Sequence, residues 1–402
     1  MMKKTSIALI LLMVFSHFPA LAAELNAGPW RFLLKTTNAD IPFVVKFSYQ
    51  EKKLIGVLRN GTESIPLDEI SVTEGSISIP LQAYELSLEL NVLNKNSVSG
   101  YLVRHNKNPI VKTPVIGTFG HKFRYDIDKN NTATIDLTGK WSIDMVDEQG
   151  TKTTGIGKFI QKKNKLKGTI LSPTGDFRYL EGYVNGNSFE AASFDGVYNY
   201  VLRGTVLNGK MEAAILSQYR TIVTGQLNPK AELPDAYKQT EMKDLKFIFP
   251  DLKGQNVALT HEKFKDRPVI VQIYGSWCPN CVDEMNFLIP WYVQNAKRGV
   301  EIIALAFERS LSIESATRQL QRVQKKWNVP YLILQAGSTS EDTPVDKLPG
   351  LKNFISFPTT IFLNRKHEVV KVHAGFSGPS TGEFFEKWKV EFNQTVNQLL
   401  KK

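Results

Sequence analysis

The chain has 402 residues, 42% of them hydrophobic and 22% charged, which is ordinary globular material for two or three domains and excludes a disordered polymer. The formal net charge of +11 is modest for this length and scattered over both halves, with no basic run interleaved with aromatics, so nucleic-acid binding is not expected. Only two cysteines occur, which excludes a scaffold held by several disulfides.

The N-terminus MMKKTSIALILLMVFSHFPALAAEL opens on Lys3 and Lys4, runs through apolar Ile7 to Phe18 and reaches the small-x-small site Ala20-Leu21-Ala22. That order is a secretory signal peptide, residues 1–22. The apolar run is shorter than the ~20 residues that span a bilayer. No other stretch is long and apolar enough, so no stable membrane span is expected after cleavage; a retained N-terminal anchor is the alternative. The expected location is the periplasm or another extracytoplasmic space of a bacterium.

Residues 23–228 carry short alternating segments punctuated by Gly, Asn and Asp, the signature of an all-β half. KFSYQEKKLIGVLRN at 46 aligns with KFIQKKNKLKGTILS at 158, an offset of about 112 residues that also brings Trp30 near Trp141 and Val72 opposite Val184. Two repeated antiparallel modules are expected, at 23–125 and 136–228, each closing into a barrel or sandwich. Between them, Asp126, Asp128 and Asn130 begin like a calcium loop. Asn131 and Leu137 stand where that loop needs Gly and a bidentate Glu, so the stretch reads as a polar linker.

A polar, Pro-containing connector spans 229–245. From 246 to 402 apolar strands alternate with amphipathic helices, as in an α/β domain with a central mixed sheet flanked by helices. Strands are expected at VIVQIYG (269), VEIIALAF (300), YLILQA (331), TTIFLN (359) and VVKVHAG (369). Ile313, Ala316, Leu320, Val323 and Trp327 keep a helical period, as do Phe385, Trp388, Phe392, Val396 and Leu399. Ser380 and Glu383 have capping-box spacing ahead of the last helix.

Both cysteines lie in YGSWCPNCVDEMNFL, at 278 and 281. A bridge between them closes so short a loop that it is a poor staple. Placed in the first turn of a helix, Cys278 meets unsatisfied N–H groups and the positive end of the helix dipole, which lower a thiol pKa from ~8.5 toward ~7. Cys278 is therefore the expected nucleophile and Cys281 the resolving thiol. Pro279 suits an early helical position, and Asn280 adds a neutral polar group beside the sulfur. A zinc half-site is the rival reading, but it needs two more ligands. No other Cys exists, and His105, His121, His261, His367 and His373 lack ligand spacing, so neither metal nor cofactor is expected.

The order strand, WCPNC, helix and then SFPTTIFLN about 77 residues later resembles the thioredoxin superfamily. More narrowly, residues 246–402 are similar to the TlpA-like thiol-disulfide reductases. The resemblance implies a thioredoxin-like fold, a cis peptide before Pro358, Phe357 backbone groups that pair with an extended substrate, and Trp277 shielding the site, with Pro279 and Asn280 in the substrate-facing turn. It also implies Glu284 as proton acceptor for Cys281. Gln272 departs from thioredoxins proper, which keep a buried Asp there; Asn286 stands where many relatives have Pro, and Pro290 comes later.

The function expected is an exported thiol-disulfide oxidoreductase that reduces or isomerises client-protein disulfides and is regenerated by a redox partner. Two alternatives stay open. A thiol peroxidase would share the fold, though YGSW replaces the Pro-x-x-x-Thr segment usual before a peroxidatic thiol. A ligand- or partner-binding envelope protein would use the β modules and keep the redox domain secondary.

Overall fold

The computed structural model describes residues 25–81, 84–128, 130, 132–233, 241–242, 244–310, 312–339 and 343–401. The expected signal peptide and part of the connector lie outside the described residues.

The first module contains β1 (Gly28–Lys35), β2 (Asp40–Gln50), β3 (Lys53–Asn60), β4 (Glu63–Leu67), β5 (Ser71–Thr73), β6 (Ser76–Pro80), β7 (Leu86–Asn94), β8 (Ser97–Arg104) and β9 (Val111–Phe119). The second contains β10 (Gly139–Val146), β11 (Lys152–Lys162), β12 (Lys165–Ser172), β13 (Gly175–Asp176), β14 (Leu180–Asn185), β15 (Ser188–Phe194), β16 (Asn199–Leu207), β17 (Lys210–Leu216) and β18 (Arg220–Leu227). Period-two alternation decides which face is buried. In β1, Trp30, Phe32 and Leu34 point inward; in β10, Trp141, Ile143 and Met145 do.

The first sheet runs β4-β3-β2-β1-β9-β8-β7-β6-β5, antiparallel throughout. Adding nine to each strand number reproduces the second sheet, β13-β12-β11-β10-β18-β17-β16-β15-β14. There β14 also pairs with β12, so eight strands close into a ring filled by Trp141, Phe159, Phe189, Tyr200 and Leu202. The duplication extends to single hydrogen bonds. Trp30 Nε1 donates to Asn26 O (2.9 Å) and Trp141 Nε1 to Leu137 O (3.0 Å), each four residues back. The modules pack through stacked Phe43 and Phe194 and through buried Arg124, which donates to Ala192 O, Arg59 O and Asn60 Oδ1.

The C-terminal domain begins earlier than the expected boundary at 246. β19 (Glu241–Met242) pairs with β25 (Leu351–Lys352), and Met242 and Leu245 belong to its core, because these apolar residues cover one face of the sheet. β20 (Ile248–Pro250) and β21 (Asn256–Ala258) form a hairpin. The main sheet comprises β22 (Val269–Tyr274), β23 (Glu301–Glu308), β24 (Leu332–Ser338), β26 (Thr359–Leu363) and β27 (Val369–Ala374), in the order β24-β23-β22-β26-β27. The first three are parallel, β26 runs antiparallel to them, and β27 pairs antiparallel with β26 and so returns to the direction of the first three. β22 and β23 are buried along their whole length, as central strands covered on both faces must be.

Among the described residues, four helices accompany the sheet: α1 (Pro279–Asn295), α2 (Ile313–Trp327), α3 (Pro344–Lys347) and α4 (Glu383–Lys401). Met285, Leu288 and Trp291 of α1 pack with Trp388, Phe392 and Val396 of α4. α1 runs unbroken through Pro290. Ile313, expected on the buried face of α2, is exposed at its first turn, ahead of the contact that buries Leu320 and Val323. The capping box expected at Ser380 and Glu383 does not form. A 3-10 turn over Pro379–Thr381 precedes α4, Ser380 Oγ donates to Asp176 Oδ1 (2.8 Å), and Glu383 meets Lys140 and Lys158 of the second module. Both side chains are drawn into an interface between domains.

Candidate active site

β22 ends at Tyr274, and a short turn carries the chain into α1. Cys278 is the N-cap of that helix, in extended conformation, and its Sγ accepts from Cys281 N at 3.3 Å. The sulfur thus occupies the place where a Ser or Asp side chain would cap a helix, next to the positive end of the dipole. Pro279 follows at the first helical position. Cys278 and Cys281 are disulfide-linked, with Cα atoms 5.2 Å apart; Cys281 is fully buried and Cys278 is 6% exposed. The Phe357–Pro358 peptide is cis, and Phe357 O lies 3.7 Å from Cys278 Sγ.

Trp277 donates Nε1 to Phe307 O (2.8 Å) and sets its ring edge against Phe357. The guanidinium of Arg309 stacks over the Trp277 ring, 3.4 Å from its centroid. One residue back, Ser276 gives its backbone N–H (2.9 Å) and Oγ–H (2.6 Å) to the two oxygens of Glu308. Burial pushes that carboxyl up to about 7 against these bonds. Sequence reasoning missed Glu308; its signal is a charged residue closing a strand whose interior, Ile302 to Phe307, is wholly apolar.

Glu284 is fully buried beneath the motif. It accepts from Gln272 Nε2 (2.7 Å) and Thr360 Oγ1 (2.5 Å), and burial raises its pKa to about 7 in spite of both bonds. Gln272, at the position where thioredoxins proper have Asp, serves here as a donor to the carboxylate on the neighbouring helix.

Asn280 lines the cavity beside Cys278 and also ties the motif to the second β module. It is buried, and its Nδ2 donates to Asp176 O of the second β module at 3.2 Å. The module approaches so closely that a Cβ on Gly175 would sit 2.1 Å from that nitrogen, and Gly175 has φ +140°. Asp176 also accepts from Gly378 N (2.6 Å) and Ser380 Oγ (2.8 Å). Beside it, buried Arg178 pairs with Asp283 of α1, with Asp195 (3.2 Å) of its own module and with Glu63 of the first module. One guanidinium among three carboxylates leaves excess negative charge in low dielectric. Burial accordingly drives Asp283 up to about 7 and Asp195 up to about 6, opposed by Arg178.

Between the ring and the motif lies a cavity of about 580 Å³. Trp277, Cys278 and Phe357 form one wall, and Met145, Thr153 and Thr174 form part of the other. Among the described residues, no group of three His, Cys, Asp or Glu side chains is placed to hold a metal ion, and no helix is long and apolar enough to cross a membrane.

Residues 232–385 match the family model described as Redoxin. Thiol-disulfide oxidoreductase ResA of Halalkalibacterium halodurans is 29% identical over 148 residues, 36% of this chain and 74% of that protein. ResA of Bacillus thuringiensis subsp. konkukian is 34% identical over 74 residues, 18% of this chain and 42% of that protein. A solved thiol-disulfide oxidoreductase from Bacteroides fragilis is 17% identical with a TM-score of 0.27, covering 36% of this chain and 98% of that one. The C-terminal domain is a thiol-disulfide oxidoreductase domain of the thioredoxin superfamily. It is related to ResA within that superfamily, and Cys278–Cys281 is its redox-active disulfide.

Proposed function

We propose that the chain is an exported, TlpA-like thiol-disulfide oxidoreductase that reduces or isomerises disulfides of client proteins in the bacterial periplasm or a comparable extracytoplasmic space. The leader sequence 1–22 supports export. The observation that carries the chemical reading is the position of Cys278, capping α1 with its sulfur on Cys281 N and facing a cavity, while Cys281 is sealed beneath it.

In the reduced protein the Cys278 thiolate attacks a client disulfide. A mixed disulfide forms and one client thiolate leaves, to be protonated by water. The Cys281 thiol passes its proton to Glu284, directly or through water, and the thiolate attacks Cys278 Sγ. The second client thiolate leaves. Two electrons have moved to the client, and a dithiol redox partner regenerates the pair. Trp277 and the Phe357–Pro358 backbone border the attacking sulfur and position the client. No cation lies between the cysteines in Cys-Pro-Asn-Cys, which favours reduction or isomerisation over strong oxidation.

Mixing the reduced full-length protein with a disulfide-bearing client tests this. Cys281→Ser is expected to trap a mixed disulfide at Cys278; failure of that variant to accumulate any adduct, while folded and reduced, would sink the assignment.

A further inference from the structure

We propose that the end of the second β module is the outer wall of the substrate site, and that Arg309 makes the site select disulfides with a carboxylate beside the half-cystine. The proposal rests on the reading of Cys278–Cys281 as a client-reducing pair.

The cavity is bounded by two domains. On the redox side stand Trp277, Cys278 and Arg309; on the ring side Thr151, Thr153 and Thr174 line the rim. Its volume of about 580 Å³ suits a short peptide stretch. The ring cannot easily swing away, since Asn280, Gly378 and Ser380 are all tied to Asp176.

Charge then decides what the pocket prefers. Arg309 is held flat on Trp277, and no carboxylate among the described residues forms an ion pair with it. Glu308, its chain neighbour, is turned inward onto Ser276. Arg104 adds positive charge from the first module. The two carboxylates in the lining are engaged elsewhere: Asp147 accepts from Gln149 N and Thr151 N, and Asp176 from Gly378 N, Ser380 Oγ and Arg178 N. A stacked guanidinium that pairs with no carboxylate among the described residues is a carboxylate receptor. Reduction follows the exchange already described: the substrate S–S bond breaks, its two sulfurs leave as thiols, and Cys278 and Cys281 end as a disulfide that a dithiol reductant restores.

The test uses pre-reduced full-length protein and disulfide-linked short peptides that differ only in having Asp, Ala or Lys beside the cysteine. Each rate is divided by that of dithiothreitol on the same peptide, which removes the intrinsic effect of the neighbouring charge. The Asp peptide is expected to exceed the Lys peptide by about tenfold. Arg309→Gln should bring the ratio close to one, while Arg309→Lys retains most of it. A ratio near one in the wild type, or an unchanged ratio in Arg309→Gln, overturns the proposal. No reduction of any peptide would instead sink the reductase reading beneath it. Glutathione disulfide and an unfolded polypeptide with an Asp-Cys disulfide serve as further arms. Preference for the first identifies a free peptide as the source of the carboxylate, and preference for the second a flexible client segment; either supports the site.

Discussion

The two β modules share one strand order, yet among the described residues only the second closes into a ring, and it is the second whose buried polar groups hydrogen-bond and ion-pair with the catalytic helix. The first module meets the redox domain through Val282 of α1, which is buried in that module's core cluster, and through polar contacts of Glu69 with Arg322 and Lys326, Asp68 with Lys326, and Glu85 with Ser310. Its Glu63 reaches Arg178 of the second module rather than the redox domain. One duplicated scaffold has therefore been put to two uses. In one copy a strand-end aspartate and an arginine build an active-site wall; the other supports that copy from behind.

The largest expected effect lies outside both modules. Cys278→Ser should reduce disulfide turnover to the assay background, whatever the state of the β half. Residual turnover above that background would mean that another group carries the chemistry.

Glu284→Gln comes next. Losing the proton acceptor should slow release of the mixed disulfide by about 10²-fold, within the usual range for general base catalysis. In the wild type the release rate should rise as pH increases through about 7, because only the ionised carboxyl accepts the proton. A flat profile in both proteins would leave Glu284 a purely structural residue.

Arg178→Met probes the wall itself. Removing the cation strands Asp283, Asp195 and Glu63 in a buried site, and denaturant unfolding should register a loss of about 3–5 kcal/mol. The same measurement on Glu69→Ala in the first module should show less than about 1 kcal/mol, as for exposed ion pairs. Equal losses would erase the distinction between the copies.

A smaller effect concerns pH. Asp195, raised to about 6, and Asp283, raised to about 7, hold protons in the folded protein that the unfolded chain releases near pH 4. Their stabilisation is complete below that point and is lost as pH rises through 6 to 7. Thermal unfolding should thus occur a few degrees lower at pH 8 than at pH 5.5, a shift of the size that ~3 kcal/mol from the two groups together produces in a chain of this length; an increase instead would place the protons elsewhere.

Much of this was legible in the sequence because it is periodic or local. Alternation marked the strands of both modules, the 112-residue offset marked their duplication, and the five core strands of the redox domain announced themselves as apolar runs. The thiol pair and its helix follow from neighbouring residues. What stayed hidden is non-periodic and long-range. Arg178 and Asp283 are about a hundred residues apart, and nothing in either local segment tells a buried ion from a solvated one. The same holds for the bond from Asn280 to Asp176, and for Ser380 and Glu383, whose spacing suggested a helix cap while their partners lay in another domain.

The central claim is that Cys278–Cys281 donates electrons to clients, and the reduction potential of the pair in the full-length protein tests it most directly. A value near that of thioredoxin, about −270 mV, is the result expected. A value near about −120 mV, that of the strong oxidants, would contradict it and reverse the direction of electron flow.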